Sequence, residues 1–204
     1  MPHFMMPRFM LSLAAAVLLG LFSAAAPAEM PAAPAWHMDK AQSRIVFKGS
    51  QMGKAFEGQF TDFDAEIRFA PDMLTASHVK VTIRTASAQS GDAERDQTLQ
   101  TRQWFDVKNF PEATYESSVF RQTDDTHFVS EGNLTIRDVT VPVILPFTLT
   151  VTADADSGKK TAVMQAAVTL DRSTLQLGRD GWADPKSVAN NVDVAVTVVA
   201  EAAP

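Results

Sequence analysis

From residue 42 onward the chain alternates apolar and polar positions with the period of two that marks β-strands. In "AFEGQFTDFDAEIRFAP" Phe56, Gly58 and Phe60 share one face, whereas Phe63, Ala65, Ile67 and Phe69 take the opposite parity. The phase slips at Thr61–Asp62, which predicts a bulge or a tight turn between two short strands. "ASHVKVTIRTAS" sets Val79, Val81 and Ile83 against His78, Lys80, Thr82 and Arg84, a strand with one wet face. In "GNLTIRDVTVPVILPFTLTV" Gly132, Leu134 and Ile136 form one face, and every odd position from Val139 to Val151 is apolar. The parity change at Arg137–Asp138 predicts a hairpin turn with Asp138 in the left-handed conformation, and Pro142 and Pro146 predict bends or an edge position. "TAVMQAAVTLDRSTLQL" and "NVDVAVTVVAEA" add further strands, for about eight in all, which favours an antiparallel barrel or sandwich.

One stretch breaks the alternation. "GDAERDQTLQTRQWFDVKNFP", residues 91–111, carries charged and apolar residues at helical spacing, predicting a helix from Asp92 to about Gln103 with Ser90 as its cap. Asp96 falls on the same side as Leu99, so it is either paired or functional. Two readings stay open: Arg95 and Asp96 tie up caps and backbone at a barrel rim, or they meet the head group of a ligand at a cavity mouth. Trp104, Phe105 and Phe110 form a plug that seats the helix, and Pro111 ends it.

The amino terminus changes the picture of where such a domain works. Residues 1–28 carry a weakly basic start with Arg8, run from Phe9 to Phe22 without a charge, and end in "AAAPA", the pattern of a signal peptide cleaved near Ala28. A secreted, periplasmic protein is the expectation, with a short mobile Pro/Ala spacer at 29–35 and a single domain over 36–204. The net charge of −6 makes nucleic acid and anionic lipid surfaces electrostatically unnatural partners. With no cysteine, disulfides, thiol redox chemistry and thiolate metal sites are absent, and stability rests on packing.

Candidate chemistry is sparse. His37, His78 and His127 lie far apart without metal-ligand spacing, "GSQMGK" fails the phosphate-loop pattern because Ala55 follows Lys54, and no Gly-x-Ser-x-Gly occurs. No catalytic or metal residues, and no cofactor, are assigned.

Several segments together resemble the YceI-like family of exported, lipocalin-like polyisoprenoid-binding proteins: "GQFTDFDAEIRF", the Val81–Ile83 strand, "RDQTLQTRQWFDVKNFPEATYESS", "GNLTIRDVTVPV" and "DRSTLQLG". The resemblance implies an all-β fold, an eight-stranded antiparallel barrel with a helical lid near residues 92–103. Its apolar tunnel would hold an isoprenoid quinone or polyprenyl lipid. Candidate tunnel positions are Phe60, Val81, Ile83, Leu99, Trp104 and Phe105, then Tyr115, Leu134, Leu145, Phe147 and Leu177, with Arg95 and Asp96 near a polar end. The implied role is carrier or storage protein, not enzyme. Transient contact with a membrane quinone-linked protein and pairing into a homodimer stay open, as do two alternatives: a fully packed, stress-related interaction module and an enzyme acting on a bound quinone.

Overall fold

The computed structural model describes residues 31–203; the expected leader over 1–28 lies outside the described residues. The strands are β1 (Ala35–Met38), β2 (Arg44–Gln51), β3 (Lys54–Phe60), β4 (Phe63–Arg68), β5 (His78–Arg84), β6 (Ala88–Gln89), β7 (Glu112–Gln122), β8 (His127–Ile136), β9 (Val139–Ala153), β10 (Lys160–Asp171) and β11 (Asn191–Ala202). Among the described residues a single α-helix, α1 (Ala93–Leu99), stands between β6 and β7. All pairings are antiparallel, and the ring β1-β4-β5-β7-β8-β9-β10-β11 closes through β1 and β11, an eight-stranded barrel.

Two of its staves are broken rather than continuous. One edge of β11 serves β1 at Ala200–Ala202 and β2 at Asp193–Thr197, with residues 39–43 turning between them. The next stave is β3 followed by β4, interrupted at Thr61–Asp62 where the parity slips. The break lets Phe60 and Phe63 both face inward despite their odd spacing. β2, β3 and β6 thus branch off the ring at one end, next to α1.

The prolines of β9 have a topological reason. β8 pairs with the whole of Val139–Thr148, but β10 joins only from Phe147 onward. Pro142 and Pro146 therefore lie where one edge of β9 carries no ladder, so their missing N–H groups cost no pairing there.

Several local expectations are revised. Helix α1 is shorter than Asp92–Gln103, and its cap is Asp92, not Ser90: Asp92 Oδ1 accepts from the amides of Glu94 (3.1 Å) and Arg95 (3.0 Å). After Leu99 the chain turns, with Phe105 N bonded to Leu99 O at 3.0 Å, which draws the aromatic pair inward. Trp104 and Phe105 are buried as the plug, joined by Val107, while Phe110 stays half-buried outside that cluster and its carbonyl accepts from Thr85 Oγ1. In the β8–β9 turn the left-handed residue is Arg137 (φ 57°), not Asp138. Its guanidinium donates to Trp104 O at 3.0 Å, so the turn conformation serves to staple the hairpin onto the plug. Residues just before Trp36 also pack on the barrel: Ala33 is 0% exposed, and Pro34 O accepts from Phe69 N.

The core divides into two clusters. At one end Phe69 packs edge-on against Phe120, Phe128 and Phe147, with centroids 5.3, 5.6 and 5.9 Å away. Each buried Phe contributes about 1.5–3 kcal/mol, so this quartet anchors the packing at that end. The other cluster gathers Phe47, Leu99, Trp104, Phe105, Leu175 and Leu177 beneath α1 and the 172–190 segment.

Candidate ligand tunnel

The barrel is not filled. An inner cavity of about 190 Å³ is walled in part by Phe69, Phe120 and Phe147 of the quartet, and a lid cavity of about 320 Å³ lies beneath α1. Ile45, Ile83, Leu134, Leu170 and Val194 line both, so the two spaces meet at one ring of side chains on the barrel axis. The wall follows from parity, because β-strand residues two apart point to the same side. Close approaches flatten the rings against that wall. A Cβ at Gly132 would stand 2.6 Å from both Glu116 O and the Tyr115 ring, and one at Gly58 would meet Phe47 and lie 2.7 Å from Gln89 O. Glycine at these points lets an aromatic ring lie across the sheet, leaving the axis open.

Polar groups are few and unevenly placed. Among the side chains lining the inner cavity the polar ones are Tyr115 and Ser130, whose hydroxyls bond each other at 2.7 Å. Burial pushes the Tyr115 pKa up, so the phenol stays neutral. The lid cavity has a charged rim at Asp92, Glu94 and Arg95, all on or next to α1. Arg95 lies across the opening with its guanidinium carbon 4.2 Å from the centre of the Phe56 ring on β3, a cation–π contact that ties lid to barrel. Its Nε donates to Ser90 Oγ at 2.9 Å, and its Nη2 faces Asp92 Oδ2 at 3.5 Å.

Deeper in the same wall, Arg172 is 2% exposed and donates to carbonyls on every side. Its Nε reaches Ala189 O (3.1 Å), Nη1 reaches Leu177 O (2.8 Å) and Gly178 O (3.3 Å), and Nη2 reaches Trp182 O (2.9 Å) and Val188 O (2.7 Å). Burial pulls its pKa below the usual guanidinium value, with the Asp171 carboxylate opposing. One side chain thereby organises the whole 172–190 segment, which closes the barrel beside Trp104 and Trp182.

The YceI-like domain family matches residues 36–200. The chain belongs to this family. Among curated YceI-like relatives, a UPF0312 protein of Pseudomonas putida is 30% identical over 155 residues, which span 76% of this chain and 78% of that protein. Another, from Azotobacter vinelandii, is 37% identical over 102 residues, and the match spans about half of each protein, 50% and 53%. Among solved structures, BcnA of Burkholderia cenocepacia superposes with a TM-score of 0.72 at 28% identity, covering 79% of this chain and 98% of that one. A polyisoprenoid binding domain from Saccharophagus degradans shares the fold with a TM-score of 0.65 at 15% identity, over 83% of this chain and 99% of that domain.

Within this YceI-like barrel the expected positions sort cleanly. Val81, Tyr115, Leu145 and Phe147 line the inner cavity; Phe60, Arg95, Leu99, Trp104, Phe105 and Leu177 line the lid cavity; Ile83 and Leu134 belong to the shared ring. Asp96 lines neither. Its Oδ1 accepts from Ser90 N (2.8 Å) and Ser90 Oγ (2.6 Å), so of the two readings of this residue the structure supports the architectural one. Sequence reasoning missed Arg172 and Trp182 at the lid end, and Trp36, Met38 and Phe120 at the inner end. Trp36 and Met38 follow strand parity and were open to the same argument, whereas Phe120 turns inward only through the β-bulge between Ser117 and Val119. Arg172 carries no such signal, since an Arg beside an Asp at a strand end reads as exposed. His37, His78 and His127 do not line either cavity, and among the described residues no group of three or more His, Asp or Glu is placed to hold a metal.

Proposed function

We propose that this YceI-like chain carries or stores a long apolar isoprenoid, a quinone or another polyprenyl lipid, in the axial tunnel. The observation that carries this reading is the pair of cavities meeting at one apolar ring, with polar groups concentrated at the α1 end. Such a space suits a ligand with a long hydrocarbon tail and a small polar head: covering the tail is favourable by roughly 25 cal/mol per Å². The description of the Saccharophagus domain as polyisoprenoid binding lends support through the shared fold. A binding role fits the site better than turnover, because its charged groups are occupied in holding the lid. The leader-like segment over 1–28 supports export and a periplasmic place of work. A membrane quinone-linked protein is the partner such a role calls for.

Titration of delipidated protein with an isoprenoid quinone tests the reading, because Trp104 and Trp182 line the lid cavity and a quinone there quenches their fluorescence. Saturable quenching is expected. Val194→Trp, placed in the shared ring, should weaken long-tailed ligands much more than short-tailed ones, and Ile83→Phe provides a milder block if that variant folds poorly. Absence of saturable quenching, or equal effects on short and long tails, would contradict a through-going tunnel.

A further inference from the structure

We infer that the mouth admits isoprenoids with an uncharged head group and turns away their phosphorylated counterparts. This rests on the isoprenoid-carrier reading and concerns only the head. The polar side chains of the lid cavity are Gln51, Asp92, Glu94, Arg95, Thr98 and Arg172, joined by the indole N–H groups of Trp104 and Trp182, of which that of Trp104 is buried without a protein partner. A dianionic phosphate needs a surplus of positive charge as well as donors, and this mouth has no such surplus.

Arg172 is the nearest buried cation, yet all five of its N–H directions run to backbone carbonyls, at Ala189, Leu177, Gly178, Trp182 and Val188. Recruiting it for a phosphate would strand those carbonyls. The first-turn amides of α1, at Glu94 and Arg95, already donate to Asp92 Oδ1. Thr98 Oγ1 donates to Glu94 O at 2.8 Å. Arg95 has Nε on Ser90 Oγ and Nη2 facing Asp92, which leaves the two N–H groups of Nη1 for a neutral oxygen.

Charge points the same way. Two carboxylates, Asp92 and Glu94, share the mouth with one rim guanidinium, and Arg95 is turned toward Asp92 and the face of Phe56. The hydrogen bond from the Arg95 amide lowers the Asp92 pKa, so that carboxylate stays ionised at neutral pH. A dianionic head would face these fixed negative charges at short range, whereas a quinone carbonyl or an alcohol meets Arg95 Nη1 and the Gln51 amide without charge repulsion.

The experiment is a competition on the delipidated full chain among a polyprenol, the polyprenyl monophosphate of equal length and a quinone of matching tail. The prediction is that the alcohol and quinone bind at least about tenfold more tightly than the monophosphate, and that Asp92→Asn with Glu94→Gln narrows that ratio severalfold. Asn keeps the helix cap, so the variant retains its lid. Monophosphate binding as tight as the alcohol in the native chain, or a ratio unmoved by the double substitution, would overturn the inference. Failure of all three lipids to bind would instead overturn the carrier reading.

Discussion

Arg172 is a buried charge whose five hydrogen bonds all go to main-chain oxygens, with the Asp171 carboxylate acting on it without a hydrogen bond. A lysine in its place has three donors on a single nitrogen and cannot reach five carbonyls spread over Leu177 to Ala189. Arg172→Met should therefore cost more than about 3 kcal/mol of unfolding free energy, because each stranded buried carbonyl is penalised by about 1–3 kcal/mol. Chemical denaturation of the purified variant checks this; a loss below about 1 kcal/mol would mean that water replaces the guanidinium readily. Residues of this kind are what the sequence hides, since burial of Arg172 depends on a loop that returns to it from far along the chain. The tunnel residues are the opposite case. Phe60, Val81, Ile83, Leu134 and Leu145 are legible because strand parity alone fixes their direction, whichever strands they pair with.

Among the elements, the turns are held by aspartates in a common way. Asp39, Asp92, Asp124, Asp154 and Asp171 each accept backbone N–H bonds within a few residues, and each has its pKa lowered below the ordinary value. For Asp124, in the β7–β8 turn, the value falls to about 2, chiefly through the Thr126 amide and then the His127 side chain. A carboxylate whose folded pKa is depressed adds stability that is complete above its unfolded pKa of about 4 and is lost as pH falls through the folded value. The barrel should thus lose stability progressively from pH about 4 toward 2, and Asp124→Asn should make that decline shallower. Thermal unfolding across this range measures both; a flat profile would contradict the assignment. Element boundaries were legible only in part. The slip at Thr61–Asp62, the β8–β9 hairpin and the inward face of β9 follow from parity, whereas the end of α1 does not. Gln100 to Gln103 are good helix formers, but the burial of Trp104 and Phe105 pulls the chain out of helix after Leu99.

At the scale of the whole molecule, a filled barrel and an open one respond differently to the same truncation. Leu145 is half-buried and borders the inner cavity, so Leu145→Ala enlarges an existing space. It should cost no more than the low end of the 2–5 kcal/mol, about 2, seen for packed leucines, while weakening the binding of long-tailed lipids. Stability and lipid titration on the same variant separate the cases, since a packed module would lose the full amount and have no affinity to change. The eight-stranded closure was open to expectation from strand count and family resemblance; the broken staves at the lid end were not, because they depend on β11 sharing one edge between β1 and β2. The most direct test of the tunnel is mass spectrometry of the organic extract of protein purified gently, without detergent. The account predicts an isoprenoid with an unphosphorylated head, present at close to one molecule per chain. Extracts that hold no isoprenoid above the level of an unrelated protein purified in parallel would contradict it.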